Sequence, residues 1–232
     1  MRINPIYTSG KYYRKNPTWD AKDSPWKAEQ VLEMIQKHGL KPRMVADVGC
    51  GAGYVLLHLA RSKMLNNTRF TGYEISPQAI KLCRKIKHPR VKFKHLDFLR
   101  EKKPFDLALA LDVIEHIEDC YGYLRRLRHR ATYKMFIIPL DISSWFVWRE
   151  QKTIGDARRR TGHLHHFTEY TALDTLRQTG YRVIDTRLIH LPFSYTRPRH
   201  RIMGMMRNIG FTINPHLTAR LLGGASLLVL AK

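Results

Sequence analysis

Three glycines, each two residues apart, follow the first apolar run of the chain in the segment VADVGCGAGY at residues 45–54. Gly49, Gly51 and Gly53 lack a Cβ, so the backbone can turn tightly there and come close to a ligand. Asp47 stands two residues before the first of them, and an amphipathic segment follows. This order is typical of a strand that passes into a helix through a ligand-binding turn. The pattern predicts a site for a flat, polar ligand.

A second carboxylate, Glu74, ends the next apolar run, about 20 residues beyond the glycines. In that position it can accept hydrogen bonds from both hydroxyls of a ribose. A dinucleotide site has the form G-x-G-x-x-G and binds a pyrophosphate at a helix N-terminus. Here the form is G-x-G-x-G after Asp47, and an acid repels phosphate but attracts a cationic amino group. We therefore expect S-adenosylmethionine rather than NAD as the cofactor.

Histidines supply the candidates for acid–base chemistry, namely His116 beside Glu115 and the loop GHLHHF at residues 162–167. A base is needed only where the methyl acceptor keeps its proton near neutral pH. Asp112, Glu115 and His116 with a later histidine also have the ligand types of a divalent cation site. A third interpretation is that these histidines orient substrate or support the loop. We predict His116 and His166 as catalytic residues, and no metal.

Short apolar runs alternate with amphipathic segments along most of the chain. The predicted strands are Met44–Val48, Arg69–Glu74, Val91–His95, Phe105–Leu111, Tyr133–Pro139, Tyr181–Ile189 and Ser226–Ala231. The predicted helices are Trp26–His38 with Ser24 as N-cap, Tyr54–Lys63, Pro77–Lys87, Glu118–His129 and Thr168–Thr179. This alternation predicts an α/β fold with a mostly parallel seven-stranded sheet and helices on both faces.

Three segments depart from this alternation. Residues 1–24 are polar and aromatic, and we expect an N-terminal lid or tail ahead of one domain at 25–232. Residues 141–167 are too long for an ordinary connection and predict a binding loop. Residues 192–224 form a second insertion. Aromatic side chains and methionines of the two insertions are candidates for an apolar acceptor pocket, with core packing as the alternative: Trp145, Phe146, Trp148, Tyr195, Met203, Met205 and Met206.

The chain has 41 Lys and Arg against 19 Asp and Glu, a net charge of +22. This excess of positive charge indicates possible partners and not the fold. It fits either a solvated basic surface or an anionic partner, such as RNA, a phosphorylated metabolite or a membrane face. Three scattered cysteines exclude a disulfide scaffold. No export signal is recognisable, and the longest apolar run, Leu221–Ala231, is too short to span a bilayer. We expect a soluble cytoplasmic protein of open oligomeric state.

Four motifs make the chain resemble the class I S-adenosylmethionine-dependent methyltransferases, in particular the group with the ubiquinone and menaquinone biosynthesis enzymes and a little-described bacterial subgroup. They are DVGCGAG, GYEIS, HLDFL and FDLALALDVIEHIED. The resemblance covers Trp26–Ile189 and the last strand, and it implies a Rossmann-like methyltransferase fold. It implies cofactor contacts from Asp47, Gly49, Gly51, Gly53, Glu74, Ile75, Asp97, Phe98, Asp112 and Val113.

The resemblance also implies roles within that set. Asp47 and the glycines would hold the methionine part, Asp97 would face the adenine amino group beside Phe98, and Asp112 with Val113 would border the sulfonium. A turn cap is the alternative role for Asp97. The segment from Asp112 to His116 further resembles the small-RNA 3′-end 2′-O-methyltransferases, whose metal set is Glu-x-x-Glu-His with a later His.

The expected function is methyl transfer to a small or lipid-linked metabolite. Two alternatives remain open: an RNA methyltransferase, which the +22 charge favours, and a non-catalytic protein that keeps the cofactor site.

Overall fold

Seven strands form a single sheet: β1 Met44–Val48, β2 Arg69–Glu74, β3 Val91–His95, β4 Phe105–Leu111, β5 Ala131–Pro139, β6 Val183–Ile189 and β7 Ser226–Ala231. Their order is β3-β2-β1-β4-β5-β7-β6. β1 to β5 pair in parallel, whereas β7 runs antiparallel to both β5 and β6. The predicted fold class is confirmed. The structure, a computed structural model, describes residues 5–19, 21–149, 152, 154–190 and 198–232.

The described helices are α1 Pro5–Thr8, α2 Lys11–Lys15, α3 Ser24–Lys37, α4 Tyr54–Arg61, α5 Pro77–Cys83, α6 Cys120–Leu127, α7 Ser144–Trp148, α8 Ile154–Asp156, α9 Glu169–Gln178, α10 Pro198–Ile213 and α11 Pro215–Leu222. Short 3₁₀ turns lie at Ala21–Asp23, Lys63–Leu65, Phe98–Arg100, Ile114–His116 and Arg128–Arg130, and a π-helical turn at Ala157–Thr161.

The helix ends differ from the predicted ones by a few residues, and the caps give the reasons. α3 begins at Ser24 itself, with Asp23 in the N-cap position, so the predicted cap by Ser24 is wrong. α6 begins after Asp119, whose carboxylate accepts a hydrogen bond from the backbone of Gly122 at 2.8 Å. Thr168 caps α9 through a reciprocal bond with Thr171, as a cap residue should.

The sheet separates two apolar cores, as its alternating side chains require. On β4, Ala108 and Ala110 join one cluster, while Leu107, Leu109 and Leu111 join the other. Helices α3 and α4 cover the second face; α6, α9 and the C-terminal pair α10 and α11 contribute to the first. Helices on both faces therefore bury the sheet on either side.

The strand order reverses between β1 and β4, where the chain leaves to opposite sides of the sheet. In open α/β sheets, ligands bind beyond the carboxyl ends of the strands at such a switch point. The glycine turn after β1 lies at this point. Among the described residues, no helix is long and apolar enough to cross a membrane.

Candidate active site

A cavity of about 340 Å³ opens beyond the carboxyl ends of β1, β2, β4 and β5. Ten of its lining residues come from the strand ends and the turns after them: Asp47, Gly49, Cys50, Gly51, Glu74, Ile75, Leu111, Asp112, Val113 and Pro139. Others come from the N-terminal segment, from α3 and from the loop before α9. Side chains distant in sequence therefore converge on the switch point.

The glycine turn has the backbone shape that the sequence predicted. Gly49, Gly51 and Gly53 have φ angles of 65°, 55° and 82°, in the left-handed region that glycine adopts without strain. A Cβ on Gly51 would lie 2.7 Å from a ring carbon of Trp19. Gly53 is the N-cap residue of α4 and does not line the cavity. The turn thus brings bare backbone to the cavity wall.

Glu74 holds the turn from the end of β2. Its carboxylate accepts a hydrogen bond from the backbone N–H of Gly51 at 2.9 Å and from those of Ile75 and Ser76 at 2.8 Å. Burial raises the pKa of Glu74, and these three bonds work against that rise. Because each carboxylate oxygen has two lone pairs, the group retains acceptor capacity for ribose hydroxyls.

Asp47 is almost fully buried, with 3% of its surface exposed. Burial raises its pKa to about 7, and the charge of Lys27 works against this rise. A carboxylate with this pKa is half ionised near neutral pH, so an added cation would favour its charged form. Asp47 is therefore placed to respond to a cationic ligand group.

Carboxylates dominate the charged groups of the cavity. Among the described residues, its lining includes Asp23, Asp47, Glu74, Asp112 and Glu115 against the single lysine Lys27. In a chain of net charge +22, this concentration of acids selects for cations. S-adenosylmethionine carries a sulfonium and an ammonium group, so both the acidic lining and the bare backbone fit it.

Lys27 and Asp112 form an ion pair at 2.6 Å across the cavity. Burial works to lower the pKa of Lys27, but the charge of Asp112 and their hydrogen bond outweigh it, so the pKa is raised. Asp112 has a φ of 55°, uncommon for a residue with a side chain and often found at functional sites. A single lysine on a helix surface forms no motif, so the sequence did not predict a role for Lys27 in this cavity.

His116 lies in the cavity wall, and burial lowers its pKa to about 4. Tyr7 donates its hydroxyl proton to the backbone carbonyl of Thr161, and its oxygen is 2.9 Å from Nδ1 of His116. In the neutral ring one nitrogen carries a proton and the other accepts one. A neutral histidine in the cavity wall can therefore serve as a general base.

Glu115 is completely buried beside His116, with 3.6 Å between Oε1 and Nε2. Among the described residues, neither of its carboxylate oxygens has a hydrogen-bond partner. Burial and the nearby charge of Asp112 raise its pKa well above the usual value. Ligand atoms of Glu115, His116 and His163 lie within 4.8 Å of one another, so these three residues could hold a divalent cation. The absence of a metal stays a prediction.

The loop before α9 brings His163, rather than His166, to the cavity. Nδ1 of His163 bonds to Oδ2 of Asp141, and Nδ1 of His166 contacts the same oxygen at 3.2 Å. Burial works to raise the pKa of Asp141, but these hydrogen bonds outweigh it and lower the pKa. His166 therefore lies behind Asp141, a placement that three histidines in four residues could not reveal. Its predicted catalytic role would have to act through Asp141.

Asp97 and Phe98 lie outside the described cavity lining. The carboxylate of Asp97 accepts the backbone N–H of Leu99 at 3.0 Å and caps the 3₁₀ turn after β3. Phe98 is 1% exposed and packs against Tyr73, with 4.9 Å between ring centroids. The geometry is that of the turn-cap alternative, and an adenine contact from Asp97 has no support in this cavity. Ile75 and Val113 do line it.

Aromatic side chains of the N-terminal segment cover the opposite wall of the cavity. Tyr7, Tyr12 and Trp19 line it and contact one another, with ring centroids 5.0 Å apart for the first pair and 4.9 Å for the second. This is the position expected of a lid; closure around a ligand stays a prediction. Parts of the three predicted segments lie outside the described residues. They are residues 1–4 and 20 of the lid, residues 150, 151 and 153 of the first insertion, and residues 191–197, which include Tyr195.

Comparison with known proteins finds similar methyltransferases. The family model Methyltransf_12, a methyltransferase domain, matches residues 46–133. Ajmaline N-methyltransferase of Rauvolfia serpentina is 33% identical over 109 residues, 44% of this chain and 36% of that protein. A tRNA U34 carboxymethyltransferase of Pseudoalteromonas atlantica is 29% identical over 119 residues, 47% of this chain and 35% of that protein. The chain spans about a third of the length of these curated relatives.

Among solved structures, the magnesium protoporphyrin IX methyltransferase of Synechocystis PCC 6803 with bound SAH has a TM-score of 0.60 and 16% identity. The match covers 90% of this chain and 83% of that one, and at this identity it concerns the fold. The narrower resemblance to the ubiquinone and menaquinone group stays a prediction. Residues 46–133 thus match a methyltransferase domain, and the chain shares the fold of methyltransferases that were crystallised with SAH.

Proposed function

We propose that this chain binds S-adenosylmethionine in the acidic cavity and transfers its methyl group to a nucleophile on a small or lipid-linked metabolite. The observation that carries the proposal is the cavity itself, where a glycine turn and five carboxylates meet in a strongly basic chain. Bound there, the donor supplies a methyl group activated by a positively charged sulfur.

The residues of the chain would divide the work of binding. Asp47 would attract the ammonium group, and its pKa of about 7 would fall as that cation approached. Glu74 would accept the ribose hydroxyls while it keeps the turn in place through its bond to Gly51. Tyr12 and Trp19 would exclude water from the cavity, which strengthens the electrostatic attraction inside it.

Acceptor activation would involve the histidine side of the cavity. The neutral ring of His116, whose pKa burial lowers to about 4, would accept a proton from a hydroxyl or amine of the acceptor. Asp141 fixes the ring of His163 through Nδ1, which leaves the other nitrogen of that ring for the acceptor. In-line displacement depends mainly on alignment, so these side chains would both position the acceptor and receive its proton.

Transfer of a labelled methyl group tests this function. The purified chain is incubated with S-[methyl-³H]adenosylmethionine and a metabolite extract that has been separated into aqueous and lipid fractions. Label in a small or lipid-linked product is the expected result, and a Glu74→Ala variant serves as the control for donor binding. Donor binding by calorimetry without transfer to any fraction would instead favour a non-catalytic cofactor protein.

A tRNA methyltransferase is the second candidate. This candidate is favoured by the tRNA U34 carboxymethyltransferases among the relatives of the chain. It is also favoured by exposed basic side chains at the β3 edge of the sheet, namely Arg84, Lys85, Lys87 and Lys92. Phosphate contacts make RNA binding fall steeply with salt. A filter-binding titration of bulk tRNA against salt separates the candidates, because failure to retain tRNA at low salt eliminates this one.

A further inference from the structure

The C-terminal helix pair exposes a continuous apolar face. Seven side chains, here called the apolar stripe, are each 47–78% exposed: Ile202, Met205, Met206, Ile209, Ile213, Leu217 and Leu221. The five on α10 follow the spacing i, i+3, i+4, i+7 and i+11, so they share one face about 100° wide. Exposed apolar patches of this extent mark interaction sites on soluble domains.

The face of α10 opposite the stripe packs against the rest of the domain. The stripe is therefore the outward-facing side of a helix that is held in place. The guanidinium of Arg207 donates to the carbonyl of Leu222 at the end of α11 through Nη2 at 2.6 Å. Phe211 is 6% exposed and stacks on His190, with 4.3 Å between ring centroids. A Cβ on Gly210 would lie 2.6 Å from Oγ1 of Thr218, so the two helices are in close contact.

Charge identifies what covers the stripe. No acidic residue follows Asp185 in the sequence, and Arg220 is exposed on α11 next to Leu221 of the stripe. The α10 and α11 helices of a second copy would bring the same positive charge and no carboxylate of their own against this face. A surface of anionic lipid headgroups above an apolar interior matches both this charge and the stripe.

Aromatic side chains of the kind found at membrane interfaces lie beside the hairpin. Trp148 at the end of α7 is 76% exposed, and Tyr170 at the start of α9 is 72% exposed. A groove lined by Leu140, Val147, Tyr170, Leu173 and Ala219 joins α7, α9 and α11. Trp and Tyr are enriched at the boundary between headgroups and acyl chains because their rings are amphipathic.

We propose that the α10–α11 hairpin docks on an anionic phospholipid bilayer, with the apolar stripe in the acyl-chain boundary and Arg220 among the headgroups. The docking does not depend on methyl transfer, so its test needs neither donor nor acceptor. Pro139 lines the acidic cavity and Leu140, the next residue, lines this groove, so the two share the end of β5.

Co-sedimentation with unilamellar vesicles tests the docking. The full chain is mixed with vesicles of phosphatidylcholine alone or of phosphatidylcholine with phosphatidylglycerol. We expect binding to the anionic vesicles that is weaker at high salt, and at least about tenfold weaker binding for the double variant Ile209→Ser/Ile213→Ser. Met64→Ser removes an exposed apolar side chain away from the stripe, 46% exposed on the turn Lys63–Leu65, and should bind like the unchanged chain.

Thermal unfolding of each variant checks that its fold is intact. Equal vesicle binding by the unchanged chain and the double variant would show adsorption through charge alone and would overturn the proposal. So would an absence of binding to anionic vesicles, whether or not the chain retains RNA. A dimer in light scattering that the double variant abolishes, without vesicle binding, would assign the stripe to a second copy instead.

Discussion

The acidic cavity and the α10–α11 hairpin are opposite in charge within one chain. The cavity concentrates the buried carboxylates of Asp47, Glu74 and Glu115 and the partly exposed Asp112, whereas the hairpin carries arginines and no acidic residue. Burial makes each cavity carboxylate responsive to a cation, since its pKa is raised or its charge is paired. The net charge of +22 therefore describes the outer surface and says nothing of the ligand inside.

The two regions also differ in how their residues are held. In the cavity, single contacts position each group, such as the bond from Gly51 to Glu74 and the bond from His163 to Asp141. On the hairpin, the exposed side chains of the stripe contribute little to the core. We expect substitutions in the cavity to alter binding or turnover and those in the stripe to leave the fold unchanged.

The largest effect is expected from the histidines of the cavity. His116→Ala or His163→Ala should lower turnover by about 100-fold or more on an acceptor that holds its proton, because a general base is removed. Donor affinity by calorimetry should not change. His166→Ala should have a smaller effect, since His166 touches Asp141 behind the cavity. A greater loss for His166→Ala than for His163→Ala would restore the assignment expected from the sequence.

The glycine turn should be next in sensitivity. Gly51→Ala places a Cβ 2.7 Å from Trp19 at a φ of 55°, and we expect about 100-fold weaker donor binding. Gly39→Ala is the matched control: its φ is 57°, and a Cβ there meets nothing within 4 Å. Both variants should lose about 1 kcal/mol of stability from backbone strain. Equal donor affinity in the two would remove the turn from the binding site.

Glu74→Ala should weaken donor binding by about 2 kcal/mol, roughly thirtyfold, because the ribose hydroxyls lose a charged partner. Glu101→Ala is the control, since Glu101 also accepts backbone N–H bonds, from Lys102 and Lys103, but lies outside the cavity. Calorimetric affinity is the measurement. Unchanged affinity in Glu74→Ala would contradict the ribose assignment.

Titration of Asp47 should have a smaller effect, which is a dependence of the free energy of unfolding on pH. Folding raises its pKa from the usual 3.8 to about 7, so the folded chain holds this proton more tightly than the unfolded chain. The free energy of unfolding should therefore fall as the pH rises from about 4 to 7, and Asp47→Asn should reduce that fall. Thermal midpoints of the donor-free chain at the two ends of this range measure it.

The carboxyl group of Asp47 should also make donor binding depend on pH. Between pH 6 and 7.5, affinity should rise by about eightfold, in step with the ionised fraction of Asp47, whose charged form attracts the ammonium group. Asp47→Asn should show weaker binding that is flat over this range. A rise of equal size in the variant would assign the pH dependence to another group.

The smallest effect should come from the stripe. Ile213→Ser should change the free energy of unfolding by less than about 0.5 kcal/mol, because the side chain is 78% exposed. Phe211→Ser, two residues away, should cost about 3 kcal/mol, since that ring is buried against His190. Urea unfolding of the two variants compares them. A large loss for Ile213→Ser would mean that the stripe belongs to the core.

Sequence patterns predicted the sheet well because each strand and turn is a local feature. The bounds of β1, β2, β3, β4 and β7 agree with the predicted runs, because the inner strands are mostly apolar and the edge strand β3 alternates apolar and polar residues. Helix ends were less accurate, as in α5, which stops at Cys83 although amphipathic spacing continues to Lys87. The helices α7, α10 and α11 were not predicted, because both insertions depart from the alternation of strands and helices.

By itself the sequence determined the glycine turn, Asp47 before it and Glu74 at the next strand end, because a parallel sheet brings consecutive strand ends to one edge. Tertiary packing alone decided which distant groups meet there: Lys27 with Asp112, and Tyr7 with His116, 109 residues apart. The same packing turned His163 rather than His166 to the cavity. Such contacts depend on loop paths and helix positions that no local pattern encodes.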